Sequence, residues 1–537
     1  MRKIKSILFF IPLSLSCVGL LSGCDEKEDI KVIRVLNCED YIYEYEEGDE
    51  EYATEGEYWY TEDVMEQFVE YWADTHDGEE IDYVYDTFDT NETMFNELAT
   101  GKTSYDVIVP SDYMIQKLIS NDMLHKISEE NKEELWENIS PFLNKKFNTI
   151  TAPLNGKDEK LADYALPYMW GTVGLMYNPK FYTDANPGLT EDDVHALFKD
   201  WDSLYTSDVI RGTFSIKDSV RDTYAVSLIH YYRDEIAGDG ISEEKLGEIF
   251  NRNSAEEMAE IKLDMLDLKA AAFGFECDSG KTDMVDQKVG ANVCWSGDAT
   301  WAITEARGDG EEDELSLYYS VPTSYNDLEY KGASNMWRDG LCMPKTAADE
   351  NNLTEEEKAQ YDLAEEFMKF ISTPEIAVQN CYCVGYTPGV AGEAMFDYML
   401  DSYDISNDLD EESVEGEDYV KYNLTYFFKD SLSSEYLADL GLDNDYIYIT
   451  ADPDTAKREL AAQYPEEKEL PRLAVMKDFG TDGNARLLDM WEQVRTNSLP
   501  TWAIIVLAIE CAGGIAFAVY LVSHTVNRKR FKKERQN

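Results

Sequence analysis

Three buried-strand patterns near the front of this chain, each leading into an amphipathic helix, constrain its fold more than any other feature. Lys31–Leu36 reads as a buried strand, ends in Asn37-Cys38-Glu39-Asp40-Tyr41, and is followed by an acidic loop (Glu44–Glu57) and a helix over Thr61–Trp72. A second strand, Ile81–Tyr85, leads to a capped helix start at Asp89–Met94 that runs to Leu98. The third, Tyr105–Val109, turns at Pro110-Ser111-Asp112-Tyr113 into another helix. Strand-helix alternation of this kind predicts an α/β lobe with a mostly parallel sheet. In such sheets ligands bind at loops beyond the carboxyl ends of strands. Asn37–Tyr41 and Ser111–Tyr113 are two such loops.

The alternation returns after Pro167–Gly174. A short helix at Asp200–Leu204, a strand at Gly212–Ile216, a capped helix from Asp218 and a strand at Val289–Trp295 predict a second α/β region. Long helical stretches at Ser242–Ala271 and Thr354–Ile371 flank it. Asp397–Thr450 is strongly acidic with interleaved aromatics and reads as an insertion. Its Asp404–Glu412 stretch has no glycine where an EF-hand loop needs its sharp turn, so a solvated acidic loop is the expectation. No internal repeat is present.

The two ends fix the compartment. Residues 1–23 carry Arg2, Lys3 and Lys5 ahead of an apolar stretch, Ile7 to Leu21, the pattern of a secretory signal. It closes in Leu21-Ser22-Gly23-Cys24, which resembles a lipobox, with Cys24 as the expected lipidated residue. Residues 501–522 form a mostly apolar run that is long enough to cross a bilayer as a helix. The basic tail that follows, 523–537, is expected in the cytoplasm, leaving the large region outside. Glu510, in mid-span, is either a contact for a neighbouring membrane subunit or a tolerated protonated carboxyl.

Charge narrows the functional classes. With 109 acidic against 47 basic residues the formal charge is −62, and both end segments are basic, so the region between them is more acidic still. A nucleic-acid partner is excluded, because a phosphate backbone needs a basic footprint. Cations are the natural partners of this surface. Hydrophobic residues at 44% leave ample material for packed cores, and 537 residues exceed what one core usually holds. Of nine cysteines, Cys17, Cys24 and Cys511 fall in the end segments. The remaining Cys38, Cys277, Cys294, Cys342, Cys381 and Cys383 are too sparse for a disulfide scaffold. Five histidines make a histidine-rich metal site improbable, and no zinc, phosphate-loop or serine-hydrolase motif is present. No cofactor is implied.

Carboxylates stand beside aromatics in strand-end loops: Glu39 with Tyr41, Trp295 with Asp298, and Trp337 with Asp339. An aliphatic polycation needs this chemistry, since its ammonium groups want carboxylates and its methylenes want aromatic walls that add cation–π attraction. At these residues the chain resembles the spermidine/putrescine-binding proteins of bacterial ABC importers, over roughly residues 31–496. The matching blocks are Val32–Tyr41, Tyr85–Ile127, Leu166–Asn178, Val289–Gly297, Trp337–Pro344 and Gly385–Pro388, in family order and spacing.

The resemblance implies a non-enzymatic two-lobe α/β clamp, the periplasmic-binding-protein architecture, holding a polyamine between its lobes. Lobe one would comprise 31–171 and 338–394, and lobe two 172–337 and 395–496. It implies aromatic walls at Tyr41, Tyr113, Trp295, Trp337 and Tyr386. It also implies an amine-holding carboxylate at Asp339, a hydroxyl contact at Ser111 and a second carboxylate at Asp222. Glu39, Asp218 and Asp298 are nearby candidates. The implied partners are an ABC permease and its ATPase, with the membrane reached through the lipid and the C-terminal helix. Three departures from the family pattern bear on ligand length: Cys38 replaces a common Trp, Glu39 replaces a small hydroxyl residue, and Ser219 stands where some members carry a carboxylate. The alternative is a receptor of the same fold for another small solute, such as a sugar, thiamine or a metal chelate. An enzyme or an adhesin is a more distant rival.

Overall fold

The computed structural model describes residues 30–496 apart from 46–61, 102, 238–240, 308–314, 323–331, 347–351 and 411. Its organising element is a pair of long antiparallel strands, Ala165–Tyr177 and Ser334–Pro344, buried along their whole lengths. They lie at the centre of one continuous sheet. On one side stand Val107–Ile108, Lys31–Cys38 and Ile81–Phe88; on the other stand Ala291–Trp295, Phe214–Lys217 and Gly274–Glu276. The two long strands thus join the strands of one lobe to those of the other. Neither shows the period-two alternation that marks a half-exposed strand, because protein covers both faces.

The mostly parallel sheet expected from the alternation holds for the outer strands only. Lys31–Cys38 pairs in parallel with both of its neighbours, and Phe214–Lys217 does the same in the other lobe. Every pairing of Ala165–Tyr177 is antiparallel, including those with Ala291–Trp295 and Thr387–Pro388. Parallel neighbours need a crossover helix, whereas these strands run directly between lobes and meet head to tail. The expected Ser242–Ala271 helix is two helices, Glu243–Phe250 and Ala255–Ala271, separated where Ser254 caps the second in a reciprocal capping box with Glu257.

The stretch expected in lobe two after residue 395 packs against both lobes. It makes its first contacts with lobe one. Helix Glu393–Tyr403 packs on Pro374–Val384, and the short helix Thr425–Phe428 packs on Pro141–Thr149. Phe427 stacks on Trp170 at 5.5 Å, Tyr426 meets Phe142 edge-on, and Ser140 donates to the Phe427 carbonyl. The acidic composition of this stretch hides an aromatic anchor, which settles on whichever lobe offers apolar surface. Contacts with lobe two dominate later, where Glu459–Gln463 packs on Ser296–Arg307 and Gly480–Thr496 on Ala255–Ala271.

Among the described residues the six cysteines are free thiols, and no helix is long and apolar enough to cross a membrane. The signal at 1–23, Cys24, the apolar run at 501–522 and the tail at 523–537 lie outside the described residues.

Candidate functional site

The long strands carry the floor of a cavity of about 80 Å³ that lies between the lobes. On Ser334–Pro344, Asn335, Trp337 and Asp339 alternate onto the cavity face, as a period of two requires. The intervening residues point the other way, where Arg338 reaches Asp112 at 3.4 Å with both groups about 1% exposed. The register shift between Arg338 and Gly340 falls at Asp339 itself, within the site, where bulges are commonly found. Trp337 lies flat on the opposite strand because Gly171 has no side chain there. A β-carbon at that position would collide with the Trp337 ring and Ser296. The Trp337 indole donates to the Thr172 carbonyl at 3.2 Å, which fixes the ring. Gly297 makes the same room for Tyr386.

Ten of the eleven expected ligand residues line this one cavity: Glu39, Tyr41, Ser111, Tyr113, Asp222, Trp295, Asp298, Trp337, Asp339 and Tyr386. Asp218 is the exception. It is paired with Arg495 at 3.0 Å and does not line the cavity. It precedes the helix Val220–Tyr231, and Asp222, one turn further on, is the residue that reaches the cavity.

Asp339 is the central group. The Tyr41 hydroxyl donates to its Oδ2 at 2.7 Å, and among the described residues its Oδ1 has no hydrogen-bond partner. Burial pushes its pKa up to about 6, with Asp222 adding to the rise and hydrogen bonds from Ser111 and Tyr41 opposing it. Asn91 holds Ser111 in place, its amide donating to the hydroxyl at 3.0 Å and its carbonyl accepting from the Ser111 backbone N–H. Tyr41 meets Tyr386 edge-on at 4.7 Å, and Tyr386 leans on Trp337. These three rings form one wall.

Asp222 is the second carboxylate. Trp295 Nε1 donates to it at 3.1 Å, and burial raises its pKa, partly offset by Ser219, Trp295 and Arg221. Asp298 is spent on the protein itself. Lys217 pairs with its Oδ2 at 2.7 Å, Tyr386 donates to its Oδ1 at 2.8 Å, and the Lys217 ammonium also sits on the Trp295 ring. Burial alone would lower the Lys217 pKa, but Asp298 and Glu276 outweigh it and hold it raised.

Several lining residues were not singled out from the sequence. Glu92 accepts from the Tyr113 hydroxyl at 3.0 Å, and burial raises its pKa against the pull of Arg221. In the sequence it reads as part of a helix cap; its place directly beyond a strand's carboxyl end was the available signal. Asp278, Lys281 and Asn335 also line the cavity. Asp278 follows Gly274–Glu276, a strand too short to show periodicity. Among the described lining residues nine are carboxylic acids and one, Lys281, is a cation, so the cavity repels anions and favours a cationic guest.

Residues 58–210 match the family described as bacterial extracellular solute-binding protein. A putrescine-binding periplasmic protein of Pseudomonas aeruginosa is 25% identical over 71% of this chain and 84% of its own length. The spermidine/putrescine-binding periplasmic protein of Escherichia coli is 24% identical over 61% of this chain and 75% of its own. Among solved structures, one from Listeria monocytogenes, provisionally named a spermidine/putrescine ABC transporter, shares 19% identity. It covers 87% of this chain and 99% of itself at a TM-score of 0.52, a likeness of fold. These likenesses bear out the resemblance read from the sequence blocks, and the matched family is one of solute-binding proteins rather than enzymes.

Proposed function

We propose that this chain is a bacterial extracellular solute-binding protein, the binding subunit of an ABC importer. It captures a polyamine, spermidine or putrescine, between its lobes and delivers it to a membrane permease driven by an ATPase. The observation that carries this reading is Asp339 beside Trp337. A buried carboxylate oxygen with no hydrogen-bond partner among the described residues faces a cavity walled by aromatic rings and lined by acids. An ammonium group would supply the missing hydrogen bond and counter-charge, and methylenes would lie against Tyr41, Trp337 and Tyr386.

Binding would draw both lobes onto one guest: Asp339 stands on the strand that joins them and Asp222 belongs to lobe two. A ligand that prefers the closed arrangement shifts the population toward it, and the closed form is what a permease would recognise. In this reading Cys24 carries a lipid, residues 501–522 span the membrane and the tail at 523–537 is cytoplasmic, so the receptor stays beside its importer.

Isothermal titration of the detergent-solubilised full-length protein with spermidine, putrescine and a neutral sugar, at two salt concentrations, tests the reading. Saturable one-to-one binding of a polyamine that survives moderate salt is expected. Weak multi-site heat that vanishes with salt would mean only an acidic surface.

A further inference from the structure

Asn335 stands in the cavity lining with its side-chain amide unused. It is 2% exposed, and among the described residues neither its Oδ1 nor its Nδ2 has a hydrogen-bond partner. A buried amide in that condition costs stability, because it has given up hydrogen bonds to water and gained none in return. Its backbone is held in register, paired with Ala474 across the parallel bridge to Leu473–Ala474. The backbone therefore sets the residue at the cavity wall, while its amide makes no hydrogen bond to the described residues of the fold.

Its position along the strand gives it a purpose. Asn335, Trp337 and Asp339 follow one another on the cavity face, each step about 7 Å. The free oxygen of Asp339 lies at one end, an aromatic plane in the middle and an unused amide at the other end. We infer that Asn335 is a ligand contact: its Oδ1 accepts an N–H from the bound amine beyond the segment that Trp337 covers. Being neutral, the amide fixes the position of that nitrogen by a directed hydrogen bond without adding another charge to a cavity already dense in carboxylates. This rests on the polyamine reading of the same cavity.

The decisive variant is Asn335→Leu, which matches the amide in size and removes its polarity. Full-length wild type and variant are titrated with spermidine and with putrescine, and thermal unfolding of the ligand-free proteins is followed in parallel. The expected result is a pair of opposite changes. The variant binds the tighter of the two amines at least tenfold more weakly, while its ligand-free melting temperature stays level or rises. Replacing an unpaired buried amide by a hydrocarbon of similar shape is neutral or stabilising. Asn335→Asp, which keeps an acceptor oxygen, should recover binding. Unchanged affinity in Asn335→Leu would overturn the inference while leaving the polyamine reading intact. A fall in melting temperature with unchanged affinity would also overturn it, by showing a structural role. A wild type that binds neither amine would instead remove the reading on which the inference rests.

Discussion

Lys281 of lobe two places its ammonium 2.9 Å from Asp40 of lobe one, bridging the mouth of the cavity. Lys281 is largely buried, with its ammonium over the Trp301 ring, whereas Asp40 is open to solvent. A second contact crosses the cleft nearby, where the Arg221 guanidinium lies 4.5 Å over Tyr113. Both favour the lobes being together. Because one partner is exposed, the ion pair is worth roughly 0.2–1 kcal/mol. Lys281→Met should speed release of a bound polyamine by about two- to fivefold in stopped-flow measurements. An unchanged release rate would mean that the pair is incidental to closure.

Asp339 gives binding a pH dependence of definite sign. Its folded-state pKa of about 6 lies above the unfolded value near 3.8. Stability from this group is therefore fully present below about 4 and is lost as pH rises toward 6. An ammonium ligand needs the ionised form, so affinity should fall by up to about tenfold per unit as pH drops below 6. Asp112, raised to about 7 and paired with Arg338, and Asp222 titrate nearby. Asp339→Asn separates the contributions. It should lower affinity by well over tenfold at neutral pH, flatten the acid limb and raise ligand-free stability. A variant that retains the acid limb would assign it to Asp112 or Asp222.

Gly171 offers a test that replaces no residue lining the cavity. Gly171→Ala would drive a methyl group into Trp337 and Ser296, and neither can yield freely inside a buried sheet. The expected outcome is displacement of Trp337 and at least a tenfold loss of polyamine affinity, read by titration together with the tryptophan fluorescence maximum. Normal affinity with an unshifted spectrum would show that the strand pair adjusts instead.

How far the sequence discloses this site depends on the kind of signal each residue leaves. Strands such as Lys31–Cys38 were legible because a short apolar run with half-buried ends leads into a turn-forming loop. Ala165–Tyr177, which runs between the lobes, was legible only as a resembling block, since burial on both faces erases alternation. Asp298 and Asp218 look equivalent to Asp222 and Asp339 in composition. Only the fold reveals that Lys217 consumes the first and Arg495 the second. Asn335 left no signal at all, because an asparagine within an apolar strand becomes informative only once its amide is found without partners.

Lys217 carries the last prediction. Its ammonium is 2% exposed, 2.7 Å from Asp298 and 3.5 Å from Glu276, and it donates to the Cys277 carbonyl. Removing one partner of a buried ion pair strands the other charges, at a cost of about 3–5 kcal/mol. Lys217→Met should therefore lower the unfolding free energy by that amount, read as a lower denaturant midpoint with the slope of the transition unchanged. Adding Asp298→Asn removes one of the two stranded charges and should restore part of the loss. Non-additivity of this kind is expected of residues in one network. The double variant also tests whether Asp298 touches the ligand. If its only duty is to hold Lys217 and Tyr386, polyamine affinity should stay within about threefold of wild type wherever the protein is folded. A loss of tenfold or more would return Asp298 to the set of residues that grip the amine.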